Sequence, residues 1–307
     1  MVLKIRFYLL VALVLSVAAF KSLKAQPPLP IHHPAEIADL RELKCDTLQT
    51  LLKEEIYKNR QWKQLVENKK MAIGIVDLQN MNDVKYAGLN SDNMMYAASL
   101  PKIAVLLTIM DAISKGELEE SETLTNDMRM MISKSSNSAA TKLIDTVGFE
   151  RIEQTLRDID YKFYDESCGG GLWVGKRYAS TGRRYPDPLK GLSHGATVSM
   201  VCSFYYKLAF GKLIDEQRSA AMLDILKDPA LTHKFVNTLN RIAPNATIYR
   251  KSGTWKYFHA DSVLVWGPDR KYIAVALIEN VNGGTIMKKL IVPIEEALRK
   301  SRTITCN

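Results

Sequence analysis

The chain lacks the His and Cys spacings that hold a metal, shows no internal repeat and no low-complexity tract, and has only five histidines and four cysteines. These absences argue against a zinc module, a repeat array or a disulfide-dense miniature scaffold. One long apolar run exists, in MVLKIRFYLLVALVLSVAAF at the start. At about a dozen residues it is too short to span a bilayer comfortably, and with its basic start it has the pattern of a signal peptide. No cysteine follows it directly, which argues against a lipid anchor.

Export is therefore the first expectation, with a cut after Ala25. Leu23 is larger than the small residue usual three places before a cut, so an uncleaved anchor is the alternative. The formal charge is +9, and losing Lys4, Arg6, Lys21 and Lys24 with the leader would leave +5. That mild excess suits a solvated surface or an anionic wall, and nothing points to nucleic acid.

Cys45, Cys168, Cys202 and Cys306 form an even set in an exported chain. If the first and last long helices pack antiparallel, Cys45 and Cys306 become neighbours, leaving Cys168 with Cys202. Four free thiols are the alternative.

At 307 residues and 47% hydrophobic composition the chain can bury a sizeable core. After a proline-rich lead-in over 26–35, apolar residues from Ala35 to about Asn68 recur at helical intervals, with room for one break. MAIGIVDL and DVKYAG then read as a hairpin. Helices follow, interrupted by the polar knot SKSSN and by the aperiodic, Gly-, Pro- and Arg-rich stretch from Tyr164 to His194. TIYRKSGTW, ADSVLVWG and KYIAVALIEN are three β-rich runs before a last helix, in which Pro293 marks a kink or a late start. The expected fold is α/β of the α+β type. An antiparallel sheet of about five strands, built from 36–98 and 245–307, is flanked by terminal helices, with an all-helical part inserted over 99–244.

MYAASLPKIAVLLTIMDAISKG, residues 95–116, places Ser99 and Lys102 three apart at the head of an apolar helix. That spacing sets both on one face, where a poorly solvated amine can take the proton of a hydroxyl. Alone, Ser99 reads equally as a helix cap. Two further clusters favour chemistry. Ser135 and Asn137 flank Ser136 in the polar knot, suited to proton relay and amide binding. Lys251, Ser252 and Gly253 lie in RKSGTW, suited to holding a carboxylate and letting backbone approach a ligand.

Together, Ser99-Leu100-Pro101-Lys102, Ser135-Ser136-Asn137 and Lys251-Ser252-Gly253-Thr254 resemble the three motifs of the penicillin-recognising serine hydrolases, the class A β-lactamases and D,D-peptidases. ISKSSNSAATKLI extends the likeness beyond the second motif. The resemblance implies Ser99 as nucleophile, Lys102 as proton acceptor and Ser135 as the donor to the departing nitrogen. Asn137, Lys251 and Ser252 would orient substrate, and the backbone N–H groups of Ser99 and Thr254 would form the oxyanion hole. It implies no cofactor and no metal. The expected ligand is a small β-lactam or a peptidoglycan peptide, met by a monomer without an obligate partner.

Ser91-Asp92-Asn93 also spells a motif, but it precedes Ser99 and is set aside. GGLWVGK, Gly170–Lys176, nearly spells a phosphate loop but has Arg177 where Ser or Thr is required. The family's glutamate-x-x-leucine-asparagine motif is absent. Glu166 is the candidate base for releasing the acyl group, with Asp187 or Lys102 next. His32 and His33 fall in the lead-in, His194 in a helix-start turn, His233 on a surface helix, and His259 opens the strand after KSGT. None completes a triad. A β-lactamase is the leading expectation; a D,D-carboxypeptidase or amidase, and a sensor that is acylated without turnover, are the alternatives.

Overall fold

The computed structural model describes residues 28–32 and 36–304. The leader, His33 and Cys306 lie outside the described residues, and so does the proposed Cys45–Cys306 pairing. Among the described residues no helix is long and apolar enough to cross a membrane.

The amphipathic run after the lead-in forms two helices, α1 (Asp46–Tyr57) and α2 (Arg60–Glu67). Leu48, Leu52 and Ile56 recur every four residues and are fully buried. The break is chemical: the Asn59 carboxamide accepts from the Trp62 N–H at 3.1 Å and starts a new helix. The run begins later than its apolar pattern because Cys45 is extended and its N–H bonds the Tyr86 carbonyl at 2.9 Å. β1 (Met71–Asp77) and β2 (Lys85–Leu89) form the expected hairpin.

β3 (Met95–Tyr96) leads into α3 (Lys102–Ser114), α4 (Glu122–Ser133), α5 (Asn137–Val147) and α6 (Phe149–Arg157). Every residue of α3 from Lys102 to Ile113 is buried, so the other helices pack around it as a central rod. The inserted part is not all-helical. β4 (Tyr164–Asp165) pairs with β5 (Gly170–Gly171), and β6 (Trp173–Val174) and β3 flank β7 (His194–Ala196). These pairings carry no periodic signal because backbone packs on backbone: a Cβ on Gly171 would lie 1.9 Å from the Phe163 carbonyl oxygen. His194 accordingly sits on a strand and not in a helix-start turn.

After α7 (Val198–Ala209), α8 (Glu216–Leu226) and α9 (Phe235–Ile242), the chain returns through β8 (Thr247–Trp255), β9 (Phe258–Trp266) and β10 (Lys271–Glu279) to α10 (Gly283–Thr303). α10 runs through Pro293. The five long strands pair antiparallel in the order β2-β1-β10-β9-β8, which leaves β8, the strand of Lys251, on an edge. Both faces are covered. On β10, Tyr272, Ala274, Ala276 and Ile278 pack with α1 and α10, while Ile273, Val275 and Leu277 pack with the inserted helices. Cys168 and Cys202 form no disulfide; Cys202 is buried within α7.

One buried ion pair fastens the edge strand to its surroundings. Asp261 on β9 accepts from Arg250 Nε at 2.7 Å, from Arg250 Nη2 at 2.9 Å and from the Phe235 N–H at the start of α9 at 3.1 Å. The remaining Arg250 donors reach the Leu231 and His233 carbonyls at 2.5 and 3.1 Å. Removing one partner would strand the other in the interior. Asp261→Ala should lower unfolding stability by about 3–5 kcal/mol in urea titrations, and a loss below about 1 kcal/mol would show that the pair is not needed.

Candidate active site

Ser99 occupies a tight turn between β3 and α3, in which the Leu100 N–H bonds the Ala97 carbonyl at 3.0 Å and the Ile103 N–H bonds that of Leu100 at 3.2 Å. Ala98, immediately before it, has φ 51° in the left-handed region, a conformation that costs energy for a residue with a Cβ. The cap of α3 is Pro101, with no side-chain capping bond, so Ser99 does not serve as a helix cap. Ser99 is partly exposed.

Lys102 is fully buried one turn on. Its Nζ donates to the Ser135 carbonyl at 2.8 Å, the Ser136 carbonyl at 3.3 Å and Asn137 Oδ1 at 2.8 Å. Burial pushes this amine down to about 7. Because Asn137 Oδ1 is committed to Lys102, its NH2 group is the part free to meet a substrate carbonyl.

Ser135 also has a left-handed φ, 56°, which turns its hydroxyl toward the edge strand. There Lys251 Nζ donates to Ser135 Oγ at 2.9 Å and to the Ser252 carbonyl at 2.8 Å. Lys251 is buried, and burial first, then the neighbouring Lys102 charge, holds it well below the ordinary lysine range. Ser135 is thus the shared member, its carbonyl on one lysine and its hydroxyl on the other.

The third motif closes on the first through absent atoms. A Cβ on Gly253 would lie 2.3 Å from the Ala97 carbonyl oxygen, 2.6 Å from the Ser99 nitrogen and 2.8 Å from the Leu100 nitrogen. Only glycine lets β8 press against the backbone of the Ser99 turn. Thr254 follows it and is exposed at the rim.

His233 is not on a surface helix. It precedes α9, its carbonyl held by Arg250, and its Nε2 is 3.5 Å from Ser252 Oγ. Burial and the Arg250 charge push its imidazole down to about 4. Lys234, which the sequence reading passed over, is buried and donates to the Gly253 and Ala260 carbonyls at 2.6 and 2.9 Å. His259 pairs in register with Thr254, both its ring nitrogens buried without a partner, against a groove of about 380 Å³ beside Thr254.

A cleft of about 680 Å³ opens beside Asn137, lined among others by Tyr96, Lys176, Tyr178, Arg184 and Trp255. No lining residue is a carboxylate. Glu166, the expected base, is not brought to the site. It is half exposed, begins a short turn, and is ion-paired to Arg157 at 2.7 Å. Asp187 is buried and accepts from the Tyr164 hydroxyl at 3.2 Å and from the Leu189 and Lys190 N–H groups at 3.1 and 2.9 Å. It fixes a loop.

Tyr178 instead faces the amine. Its ring centroid is 4.3 Å from Lys102 Nζ, and its hydroxyl donates to the Ala98 carbonyl at 3.1 Å. His194 packs on that ring at 4.3 Å between centroids and is bound through Nε2 to the Lys176 carbonyl at 3.0 Å. Burial pushes it down to about 4, so it stands as a neutral wall. Neither Tyr178 nor His194 was recognisable as a site residue, because both lie in or beside the aperiodic loop. The rejected Ser91-Asp92-Asn93 is engaged elsewhere, Asp92 accepting from Ser199 Oγ at 2.7 Å and from Arg41 at 3.2 Å.

Comparison with known proteins agrees with this fold. The chain is similar to a β-lactamase from Sphaerobacter thermophilus DSM 20745, with a TM-score of 0.62 at 15% identity over 84% of this chain and 98% of that one. It is similar to a variant of PBP-A solved as an acyl-enzyme complex with penicillin G, with a TM-score of 0.62 at 16% identity over 86% and 100% of the two chains. It is also similar to a class A β-lactamase from Mycobacterium abscessus, with a TM-score of 0.59 at 15% identity over 82% and 100%. At these identities the likeness establishes the fold. No curated protein matches. The Beta-lactamase enzyme family matches residues 58–130 and 123–300, well over half of the sequence, and the chain belongs to that family.

Proposed function

We propose that this chain is an exported serine hydrolase that opens β-lactam amides through an acyl-serine on Ser99, with release of the acyl group much slower than its formation. The observation that carries the reading is the dry Lys102 amine, tied through Ser135 to Lys251 and set one helical turn from Ser99.

Ser99 Oγ attacks the carbonyl carbon while its proton passes to neutral Lys102. The resulting oxyanion is held by the Ser99 and Thr254 N–H groups. As the C–N bond breaks, the departing nitrogen takes a proton through the Ser135 hydroxyl, which Lys251 orients, and the Lys102 proton replaces it. Asn137 and Ser252 position the ligand. Hydrolysis then needs a base for water. No carboxylate lines the cleft and an aromatic ring lies against the amine, so this second step loses the roughly 10²–10⁴-fold that a placed base supplies.

The same observation favours, as second reading, a peptidoglycan D,D-carboxypeptidase or amidase, or a sensor acylated without turnover. Following chromogenic cephalosporin product and intact mass together separates them: sustained turnover supports the hydrolase, and a permanent adduct without it supports the alternatives. A burst of one equivalent, then turnover at least about a hundredfold slower, is the expected result. No adduct and no product from β-lactams, wall peptides and simple esters would overturn all of them.

Ser99→Ala should abolish covalent labelling while shifting the melting temperature by no more than a few degrees, and labelling that persists would exclude Ser99 as nucleophile. Glu166→Gln should leave the release rate within about twofold, since its partner is Arg157; a tenfold slowing would restore it as the base. The neutral form of Lys102 is the competent one. The acylation rate should therefore rise with pH and level off above about 7, and a flat profile from about pH 5.5 to 8.5 would contradict its role as proton acceptor.

A further inference from the structure

One part of the cleft is unexplained by the acylation machinery. Lys176 and Arg184 face each other across an isolated antiparallel bridge, and both line the cleft. Residues directly opposite in such a pair project to the same side, and like charges placed so repel. A stability argument alone would separate them or supply an acid.

Neither happens. The neighbouring arginines are neutralised, Arg177 by Asp145 at 2.6 Å and Arg183 by Glu150 at 2.7 Å. Lys176 reaches only the Ser180 carbonyl, at 3.5 Å, and neither Lys176 nor Arg184 has a carboxylate partner among the described residues. The uncompensated pair thus belongs to the cleft and not to the loop's own structure.

Its placement selects the part of a ligand it would meet. Asn137 lines the same cleft, whereas Lys251 and Ser252 do not. In the proposed mode Asn137 meets the acyl side of the ligand and Lys251 its carboxylate, which puts Lys176 and Arg184, in the same cleft as Asn137, on the acyl side. Tyr96 and Trp255, with ring centroids 6.2 Å apart, form an apolar wall of the cleft.

We propose that Lys176 and Arg184 form a subsite for a carboxylate on the acyl portion of the ligand, so that the preferred acyl donors carry an aromatic or apolar group and an extra negative charge on that side. The inference rests on the reading of the cleft as an acyl-donor site. It does not require turnover or acylation. An anionic group there would relieve the repulsion between the two cations, and Arg184 adds a planar donor fork.

Benzylpenicillin and carbenicillin differ by one side-chain carboxylate and serve as the two probes. Their non-covalent affinities for full-length Ser99→Ala protein should differ by about tenfold in favour of carbenicillin at low ionic strength. That preference should shrink below about threefold in 0.5 M salt. It should also shrink to that level in Ser99→Ala protein carrying Lys176→Ala and Arg184→Ala, with benzylpenicillin affinity kept as the control for intact folding. Equal affinities, a preference that survives the double substitution, or no measurable binding of either probe would overturn the subsite. Covalent labelling of the unsubstituted protein reports separately on Ser99: a preference without labelling keeps the subsite and removes the proposed acyl-serine chemistry, and labelling without preference does the reverse.

Discussion

The site depends on keeping one amine dry. Lys102 stands at the head of a helix buried on every side, so its charge has no water to turn to and its affinity for a proton falls. The acceptors around it, two carbonyls and a carboxamide, all come from the Ser135–Asn137 turn. The amine and the polar knot therefore define each other's positions. Burying α3 on every side is what dries the amine at its first residue.

The rest of the fold brings the edge strand to that amine. β8 is held from behind by the Arg250–Asp261 pair and from below by Lys234, and it reaches the Ser99 turn because Gly253 has no side chain. Three basic side chains, Arg250, Lys251 and Lys234, thus gather near one carboxylate, Asp261, with Lys102 beside Lys251. Such an excess suits a site that receives anionic ligands and develops an oxyanion. It is equally an unfavourable place for a protonated base, which adds to the effect of burial on Lys251, whereas burial alone lowers Lys102.

Much of this was legible in the sequence where periodicity or motif spacing carried it. The five-stranded antiparallel sheet and its terminal helices follow from the β-rich and helical apolar patterns, whereas the edge position of the RKSGTW strand comes from the pairing order. The three motifs read as one group, and the structure links them: Lys102 contacts Ser135 and Asn137, Lys251 contacts Ser135, and Gly253 abuts the Ser99 backbone. The stretch from Tyr164 to His194 was not readable. Its short strands are set by close backbone approach at glycines and by loop hydrogen bonds such as those of Asp187, which leave no period. Glu166 was chosen there on residue type, but its partner Arg157 comes from α6, a tertiary fact invisible in the local sequence. Tyr178 was missed for the same reason, since a tyrosine gives no motif and matters only through the amine it covers.

The proposed chemistry sets the Ser99–Lys102–Ser135 group beside a cleft without a carboxylate lining, and in that proposal the protonation state of Lys102 governs acylation. The most direct measurement is the titration of the Lys102 side chain in the folded protein by NMR with lysine labelled at Cε and Nζ, assigned through Lys102→Arg. A midpoint near pH 7 is expected from its burial. A midpoint at or above the ordinary lysine value of about 10.4 would show that the amine stays charged through the working range and cannot take the proton of Ser99.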